Sequence, residues 1–340
     1  MMVSLRVLIA SAFAFALAGT ATAQDPIADF YRGKQVKIIV GFTAGGSSSL
    51  YAQGLARHMG KYIPGNPTLI VQHMPGGGGL VAANYIFNNA ARDGSEFAIT
   101  SRTAALEPLL GNQNARFDAL KFNWVGNANI ENSVCISWHT APAATVQDVF
   151  SKELIVGGAG PAAQEVMFPK SFNRLLGTKF KIITGYPGST EILLAMERGE
   201  IHGFCGIGWT FVKLRKSEWM RDKKINVLFQ MALKKHPDIL DVPAIQDFAK
   251  TEEDRQVIEF LFAPQDMGRP FFAPPGVPEA RVQVLRQAFA KTLADPKFLE
   301  EADKQGIEVQ LVRGEEIQKL LERIYGAPQR VIERAKAATE

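Results

Sequence analysis

VKIIVGFTAGGSSSL (residues 36–50) joins an apolar run to a glycine-rich turn and then to a run of serines, after which apolar residues recur at helical spacing. A strand, a glycine turn and a helix in this order present free backbone N–H groups to an anion. Gly41 and Gly46 match the first two glycines of a phosphate-binding loop, but Ser47 stands where that loop needs lysine. The stretch therefore predicts an α/β fold and an anion-binding turn of a different kind.

Three further turns have the same form: HMPGGGG (73–79), GGAGPAAQ (157–164) and GYPGSTE (185–191). In each, glycine allows close approach of the backbone, and the next helix begins with N–H groups that lack a partner within the helix. Packing alone also requires glycine at such turns, so a single one is a weak indication of a ligand. Two of the four lie on each side of a predicted cleft, which favours an anionic ligand held there. Nucleotide binding is not favoured, because Val81 stands at the third glycine of the dinucleotide fingerprint.

Short β-rich runs alternate with helical patterns along the chain, which predicts an α/β fold with mostly parallel sheets. The predicted strands span residues 36–40, 68–72, 97–100, 153–158, 180–186, 201–206 and 225–230. Two breaks interrupt the alternation, FNWVGNANIENS (122–133) and the proline-rich and glycine-rich GRPFFAPPGVP (268–278). The breaks predict a first domain of residues 24–130 and 265–340, with a second domain, residues 131–264, inserted between its parts.

Residues 1–23 have the features of a secretory signal peptide, because Arg6 precedes an apolar run and ATA (21–23) supplies a small-x-small cleavage site. The run is too short to span a bilayer, although retention as an N-terminal anchor is the alternative. No later segment reaches spanning length, so we expect cleavage near Ala23, export and a soluble mature protein. The formal net charge of +4 is spread along the chain, without the concentrated patch that nucleic-acid binding requires.

The chain contains two cysteines, Cys135 and Cys205. In an oxidising compartment a disulfide across this long loop would stabilise the fold by roughly 4 kcal/mol in the chain-entropy model. Two buried, unpaired thiols are the alternative, and the sequence leaves both open because it does not show whether the residues approach each other.

Catalysis has little support in the sequence. No Gly-x-Ser-x-Gly nucleophile elbow surrounds the serine run, and His202 with Cys205 lacks an oriented third group for thiol chemistry. The other histidines show no metal-ligand spacing. The sequence therefore predicts no catalytic residue, no metal and no cofactor.

Several segments resemble, in the same order along the chain, segments of one known protein family. They are IIVGFTAGGSSSLYAQGLARHM (38–59), VQHMPGGGG (71–79), AANYIFNNAARDGSEFAI (82–99), GYPGSTEILLAMERGEIHGFCG (185–206) and FFAPPGVP (271–278). From about Lys34 to near the C-terminus the chain resembles the extracytoplasmic solute receptors of the tripartite tricarboxylate transporter group, also called Bug-type receptors. The resemblance implies a type II-like periplasmic binding protein. Such a protein has two α/β domains with mixed sheets, joined by crossing hinge strands, that close on a small carboxylate.

The resemblance also implies a ligand site built mainly from backbone N–H groups of the four turns. The implied residues are Phe42, Thr43, Ala44, Gly45, Gly46, Ser47, Ser48, Ser49, Pro75, Gly76, Gly77, Gly78, Ser101 and Thr103 from the first domain, with Gly160, Pro161, Tyr186, Gly188, Ser189 and Thr190 from the second. Three positions depart from the family pattern, since Ser49 replaces an aspartate, Gln53 an arginine and His73 an asparagine. Loss of the aspartate favours a plain mono- or dicarboxylate over a ligand with an amino group. Arg102 is the nearby guanidinium able to make a bidentate contact.

For function, the resemblance implies a monomeric periplasmic receptor that captures a small organic anion, closes on it and delivers it to membrane permease subunits without covalent chemistry. A sensory receptor that presents its ligand to a two-component system is one alternative. A secreted enzyme acting on an anionic substrate in the same cleft is the alternative from another class. Neither a cofactor nor a nucleic-acid partner is expected.

Overall fold

The computed structural model describes residues 25–340, so the signal peptide predicted for residues 1–23 and its cleavage site near Ala23 lie outside the described residues. Within this range the chain is a mixed α/β fold with two mixed sheets, as the family resemblance implied. The strands are β1 (Gln35–Val40), β2 (Thr68–His73), β3 (Glu96–Ile99), β4 (Asn123–Asn127), β5 (Ser133–Trp138), β6 (Leu154–Gly158), β7 (Phe180–Thr184), β8 (Gly203–Gly208), β9 (Ile225–Met231), β10 (Pro270–Ala273) and β11 (Val312–Arg313). The mostly parallel sheets predicted from the alternation of strands and helices are a wrong prediction, because β10, β11 and β5 make all their pairings antiparallel. The α-helices are α1 (Pro26–Tyr31), α2 (Ser47–His58), α3 (Leu80–Asn88), α4 (Gln164–Leu176), α5 (Ser189–Glu197), α6 (Trp209–Arg215), α7 (Ser217–Arg221), α8 (Glu252–Phe262), α9 (Glu279–Leu293), α10 (Pro296–Lys304), α11 (Gly314–Tyr325) and α12 (Gln329–Thr339).

The first sheet has the strand order β11-β4-β10-β3-β1-β2. β1 pairs in parallel with β2 and β3, whereas β10 runs antiparallel between β3 and β4. Val36, Ile38 and Val40 pack in one core with Tyr51 and Leu55 of α2. Ile39, on the other face of β1, is also fully buried, in a different core, which explains why four of the six residues of this strand are apolar.

The second sheet has the order β7-β6-β8-β5-β9, with β6 parallel to β7 and β8 and with β5 antiparallel to β8 and β9. The sequence pattern did not predict β4 or β5. In β5 the polar residues Ser133 and Ser137 are fully buried, which interrupts the apolar pattern of a strand. Both are satisfied by hydrogen bonds, and the Ser137 hydroxyl donates to the carbonyl of Ala143 at 2.7 Å. The strand predicted at 201–206 lies two residues later, at Gly203–Gly208.

Two connections link the sheets. The chain passes from the first sheet to the second between β4 and β5 and returns between α8 and β10. The predicted domain limits at 130/131 and 264/265 lie within these connections. In GRPFFAPPGVP only the start lies in the connection, because Pro270–Ala273 is an interior strand of the first sheet. The last helix, α12, packs against α4 and α8, although its residues belong to the segment predicted for the first domain.

A disulfide joins Cys135 of β5 to Cys205 of β8, so the structure contains the first of the two alternatives that the sequence left open. The two residues are direct partners in the antiparallel ladder, and both are fully buried. The bond therefore links two inner strands of the second sheet.

Candidate anion-binding site

A cavity of about 80 Å³ opens where turns from the two sheets face each other. This volume holds several water molecules and suits a small ligand. We call the side of the first sheet the first side and the side of the second sheet the second side. The first side contributes Phe42, Thr43, Gly46, Ser47, Ser48, Thr100, Ser101, Arg102, Gly268 and Arg269 to the lining. The second side contributes Gln164, Glu165, Gly188, Ser189, Phe204, Gly206, Ile207, Gly208 and Phe211. The lining thus combines glycine turns, hydroxyl groups, two guanidinium groups and three phenylalanine rings.

Among the helices of residues 25–340 that are longer than two turns, α2, α4 and α5 begin at this cavity, and the shorter α6 also begins here, at Gly208. The N-cap residues of α2, α4 and α5 are Gly46, Ala163 and Gly188, and none of these accepts a first-turn N–H through a side chain. By contrast, the Thr251 side chain at the start of α8 accepts the N–H of Asp254. Uncapped N-termini leave backbone donors and the positive ends of three helix dipoles directed at one place. This arrangement favours an anion.

Turns from the two sides touch at the rim of the cavity. The Thr43 hydroxyl donates to the Glu191 carboxylate at 3.2 Å, across from the first side to the second. A Cβ atom built on Gly46 would lie 3.0 Å from the hydroxyl oxygen of Ser189. The two sides are therefore in a closed arrangement in which the turns around residues 43–47 and 188–191 meet.

A second contact joins the other two turns. A Cβ atom built on Gly160 would lie 2.6 Å from the backbone of Gly77 and Gly78, and one on Gly78 would lie 2.5 Å from the Ala163 nitrogen. The Thr103 hydroxyl donates to the carbonyl of Ala162 at 2.5 Å. Glycine is needed here for backbone to approach backbone across the interface.

Replacing Gly160 by alanine should weaken ligand binding about ten- to hundredfold, because the new methyl group overlaps the facing backbone only when the two sides are closed and such overpacking costs about 1–3 kcal/mol. The free energy of unfolding without ligand should stay within about 0.5 kcal/mol of the wild type. Isothermal titration and urea denaturation measure the two quantities. Gly326→Ala, at the end of α11, is the control and should leave affinity unchanged. Equal affinity of Gly160→Ala and the wild type would contradict the closed-state role of this contact.

Arg102 lies at the centre of the site and is only 3% exposed. Its Nε donates to the side-chain oxygen of Gln164 at 2.8 Å, and an Nη atom donates to the hydroxyl of Ser133 at 2.9 Å. Burial lowers the pKa of Arg102 to about 10, so the guanidinium remains charged at neutral pH. The residue connects the first side of the cavity to α4 and β5 of the second.

Glu131, in the connection between β4 and β5, compensates the charge of two arginines. Its carboxylate lies 3.5 Å from Arg102 and forms a closer ion pair with Arg269. The Glu131 carboxylate fits beside Gly208 because this residue has no side chain, and a Cβ atom on residue 208 would overlap the carboxylate. Arg269 in turn donates to the Ser47 hydroxyl at 2.8 Å, at the start of α2. Both connections between the sheets therefore contribute charged groups beside the cavity.

Glu165, in the first turn of α4, is the second carboxyl group at the cavity and is 8% exposed. The N–H of Ala159 donates to it at 3.4 Å. In the part of the chain that the structure describes, it forms no ion pair, unlike Glu131. Burial raises the pKa of Glu165, and the positive charges of Arg102 and Arg269 oppose this rise.

The predicted site residues divide into two groups by position. Those that line the cavity are Phe42, Thr43, Gly46, Ser47, Ser48, Ser101, Gly188 and Ser189. Those outside its lining are Ala44, Gly45, Ser49, Pro75, Gly76, Gly77, Gly78, Thr103, Gly160, Pro161, Tyr186 and Thr190. Several of the second group form the contacts between the two sides, and their part in ligand binding stays a prediction.

Arg269, Glu131 and Glu165 were not among the predicted residues. Arg269 stands in the GRPFFAPPGVP break and Glu131 in the FNWVGNANIENS break, so the two breaks were the signal that the sequence offered. Glu165 follows GGAGPAAQ directly, at the start of the helix that this turn introduces.

The three departures from the family pattern contact one another. The Gln53 amide donates to the Ser49 hydroxyl at 2.9 Å, and this oxygen lies 3.5 Å from Nε2 of His73. Nδ1 of His73 lies 2.8 Å from the carbonyl of Phe42, at the cavity wall. Ser49 is fully buried, so these residues form a layer behind the first turn rather than a part of the cavity surface.

Within the described part of the chain, the residues considered for thiol chemistry have other partners. Cys205 is bonded to Cys135, and Nδ1 of His202 accepts the backbone N–H of Ile155 at 3.1 Å. Residues 25–340 contain no group of three or more histidine, cysteine, aspartate or glutamate side chains arranged to hold a metal ion. In the same range, no helix combines the length and the apolar character needed to cross a membrane.

Comparisons with known proteins agree on one family. A sequence model of the tripartite tricarboxylate transporter family receptors matches residues 51–336, whereas no curated protein matches the chain. The periplasmic binding protein BugD is similar at 20% identity and a TM-score of 0.72, covering 91% of this chain and 98% of its own. MatC from Rhodopseudomonas palustris, with bound malate, gives 19% identity and a TM-score of 0.69 over 90% and 99% of the two chains. A second R. palustris protein, with adipate, gives 20% and 0.68 over 89% and 97%. At these identities the structural likeness concerns the fold.

Proposed function

Because the chain belongs to the tripartite tricarboxylate transporter receptor family, we propose that it captures a small organic carboxylate between its two domains and delivers it to a membrane permease. The observation that carries the proposal is the cavity at which three uncapped helix N-termini converge beside two arginines. Backbone N–H groups and guanidinium groups are the donors that carboxylates accept best. The similar proteins with malate and adipate support a mono- or dicarboxylate as ligand.

Domain closure is the proposed working step. The Thr43–Glu191 hydrogen bond and the close approach of Gly160 to Gly78 exist only when the two sides meet. A ligand that touches both sides stabilises this closed arrangement, because it makes its full set of contacts there and only part of them in an open one. The proposed setting is the periplasm, after removal of the signal peptide, with the receptor acting as a monomer.

We also propose that the protein performs no chemistry on its ligand. The thiol of Cys205 is bonded, and the buried Ser49 lies behind the cavity wall. Incubation of the purified protein with a bound carboxylate, followed by chromatography, should return the compound unchanged. Turnover above that of a sample without protein would support the secreted-enzyme alternative instead.

A thermal-shift screen tests the binding function. Aliphatic and aromatic mono-, di- and tricarboxylates are compared with amino acids, phosphate and nucleotides on the full mature chain. A carboxylate at 100 times its Kd should add about 2.7 kcal/mol to the free energy of unfolding and raise the melting temperature accordingly. A response to phosphate or nucleotides alone would contradict the proposed ligand class.

A further inference from the structure

The carboxyl group of Glu165 is a buried acceptor at the cavity that the proposed function does not use. Glu165 is 8% exposed and lines the cavity from the second side. Its neighbours are the N–H of Ala159 and its own backbone N–H, and no ion pair satisfies it within residues 25–340. A buried carboxylate without a charged partner is costly, so a partner from outside the chain would stabilise it.

Most donors of the two arginines at the cavity are already engaged, whereas the buried Nε of Arg269 has no hydrogen-bond partner within residues 25–340. Glu131 pairs with both Arg102 and Arg269, and the remaining donors of Arg102 go to Gln164, Ser133 and the carbonyl of Gly268. Two guanidinium groups and two carboxyl groups leave no net charge from side chains at this place. The attraction for an anion therefore comes from the helix N-termini together with the unpaired Nε of Arg269, and Glu165 opposes a second negative group near it.

We propose that Glu165 accepts a hydrogen bond from the ligand, so the ligand carries a carboxylate at one end and a hydroxyl or ammonium group at the other. The carboxylate end meets the N-terminus of α2 at Ser47 and Ser48, on the first side, while the donor end meets Glu165 at the start of α4, on the second. This inference rests on the proposed function. It narrows the ligand class, because a dicarboxylate would place its second negative charge against the Glu165 carboxylate. The ligand proposed here also differs from the plain carboxylate that we expected because Ser49 stands where the family pattern has aspartate.

Matched linear probes of three to six carbons test the inference by isothermal titration at neutral pH. For each length, the unsubstituted acid, the ω-hydroxy acid, the ω-amino acid and the α,ω-dicarboxylate differ only in the end group; at four carbons these are butyrate, γ-hydroxybutyrate, γ-aminobutyrate and succinate. At the best length, the hydroxy or amino probe should bind the wild type at least about tenfold more tightly than the other two, since a charge-assisted hydrogen bond contributes that much. The hydroxy and amino arms show which donor the site takes.

Glu165→Gln removes the charge and keeps the shape, so it should abolish the preference for the amino probe and bind the dicarboxylate at least about tenfold more tightly than the wild type does. Glu107→Gln is the matched control, because Glu107 is a buried glutamate, 5% exposed, that lies outside this cavity. It should keep the wild-type ranking. If the wild type ranks the dicarboxylate or the unsubstituted acid first, the inference is wrong and the proposed function stands. If no probe of any length binds the wild type, the inference is wrong, and the proposed function fails as well only when the aromatic and tricarboxylate compounds of the thermal-shift screen also give no response.

Discussion

Replacing Glu131 by glutamine should lower the free energy of unfolding by about 3–5 kcal/mol, because it leaves two buried guanidinium groups without a compensating charge. The Glu131 side chain is 5% exposed and pairs with Arg102 and Arg269, whose side chains are 2% and 11% exposed. Glutamine retains the size of the side chain, so the loss reflects the charge rather than a cavity. Urea denaturation followed by circular dichroism measures the difference.

The structure offers a close control for Glu131→Gln. Glu253 also pairs with two arginines, Arg330 and Arg334, but it lies at the surface with 35% of its side chain exposed. Glu253→Gln should therefore cost less than about 1 kcal/mol. In the background of Glu131→Gln, adding Arg102→Met should recover part of the loss, because one uncompensated charge disappears. Equal effects of the two glutamate variants would show that the buried cluster has no special importance for stability.

Local patterns in the sequence predicted the parts of the fold that depend on local order. β1 was found because four of the five residues at positions 36–40 are apolar and β-branched. The turns after β1, β2, β6 and β7 were found because glycine comes shortly before a helix. β5 was missed because its two buried serines satisfy their hydroxyls through tertiary hydrogen bonds. The Ser133 partner, Arg102, is 31 residues away, and the carbonyl of Ala143 reaches Ser137 only through the turn that follows β5, so the apolar pattern reveals neither partner.

The candidate site likewise has a part that local sequence patterns predict and a part that depends on the fold. The backbone donors of the first and fourth turns could be predicted, because glycine and serine before a helix have a known geometry. Arg102 was noted in the sequence, but its grouping with Glu131, Glu165 and Arg269 could not be predicted, since these residues come from four segments that only the fold brings together. The role of the glycines in the turns could not be decided from the sequence. At Gly78 it serves close approach of one turn to another, which the sequence does not distinguish from close approach to a ligand.

The three residues that differ from the family pattern were separate observations in the sequence, but they lie together in the structure. Ser49, Gln53 and His73 were noted as independent changes. In the structure they are a connected set of side chains behind Phe42 and the first turn. The charged side chains at the cavity belong instead to the arginine and glutamate cluster, where Arg269 donates to the hydroxyl of Ser47. Ligand selectivity is therefore better sought at the cluster than at the departures.

Removal of the disulfide should lower the free energy of unfolding by about 4 kcal/mol, because the bond closes a loop of 70 residues and restricts the unfolded chain. Cys135 and Cys205 are fully buried partners on inner strands of the second sheet, so native pairing should survive the loss while the unfolded state gains freedom. Urea denaturation of the wild type with and without dithiothreitol isolates the bond, since reduction keeps both side chains. The variant Cys135→Ala/Cys205→Ala is the control, because dithiothreitol should leave its stability unchanged. A wild type whose midpoint is insensitive to reductant, with complete thiol labelling after unfolding in both conditions, would mean that the two cysteines are unpaired in solution.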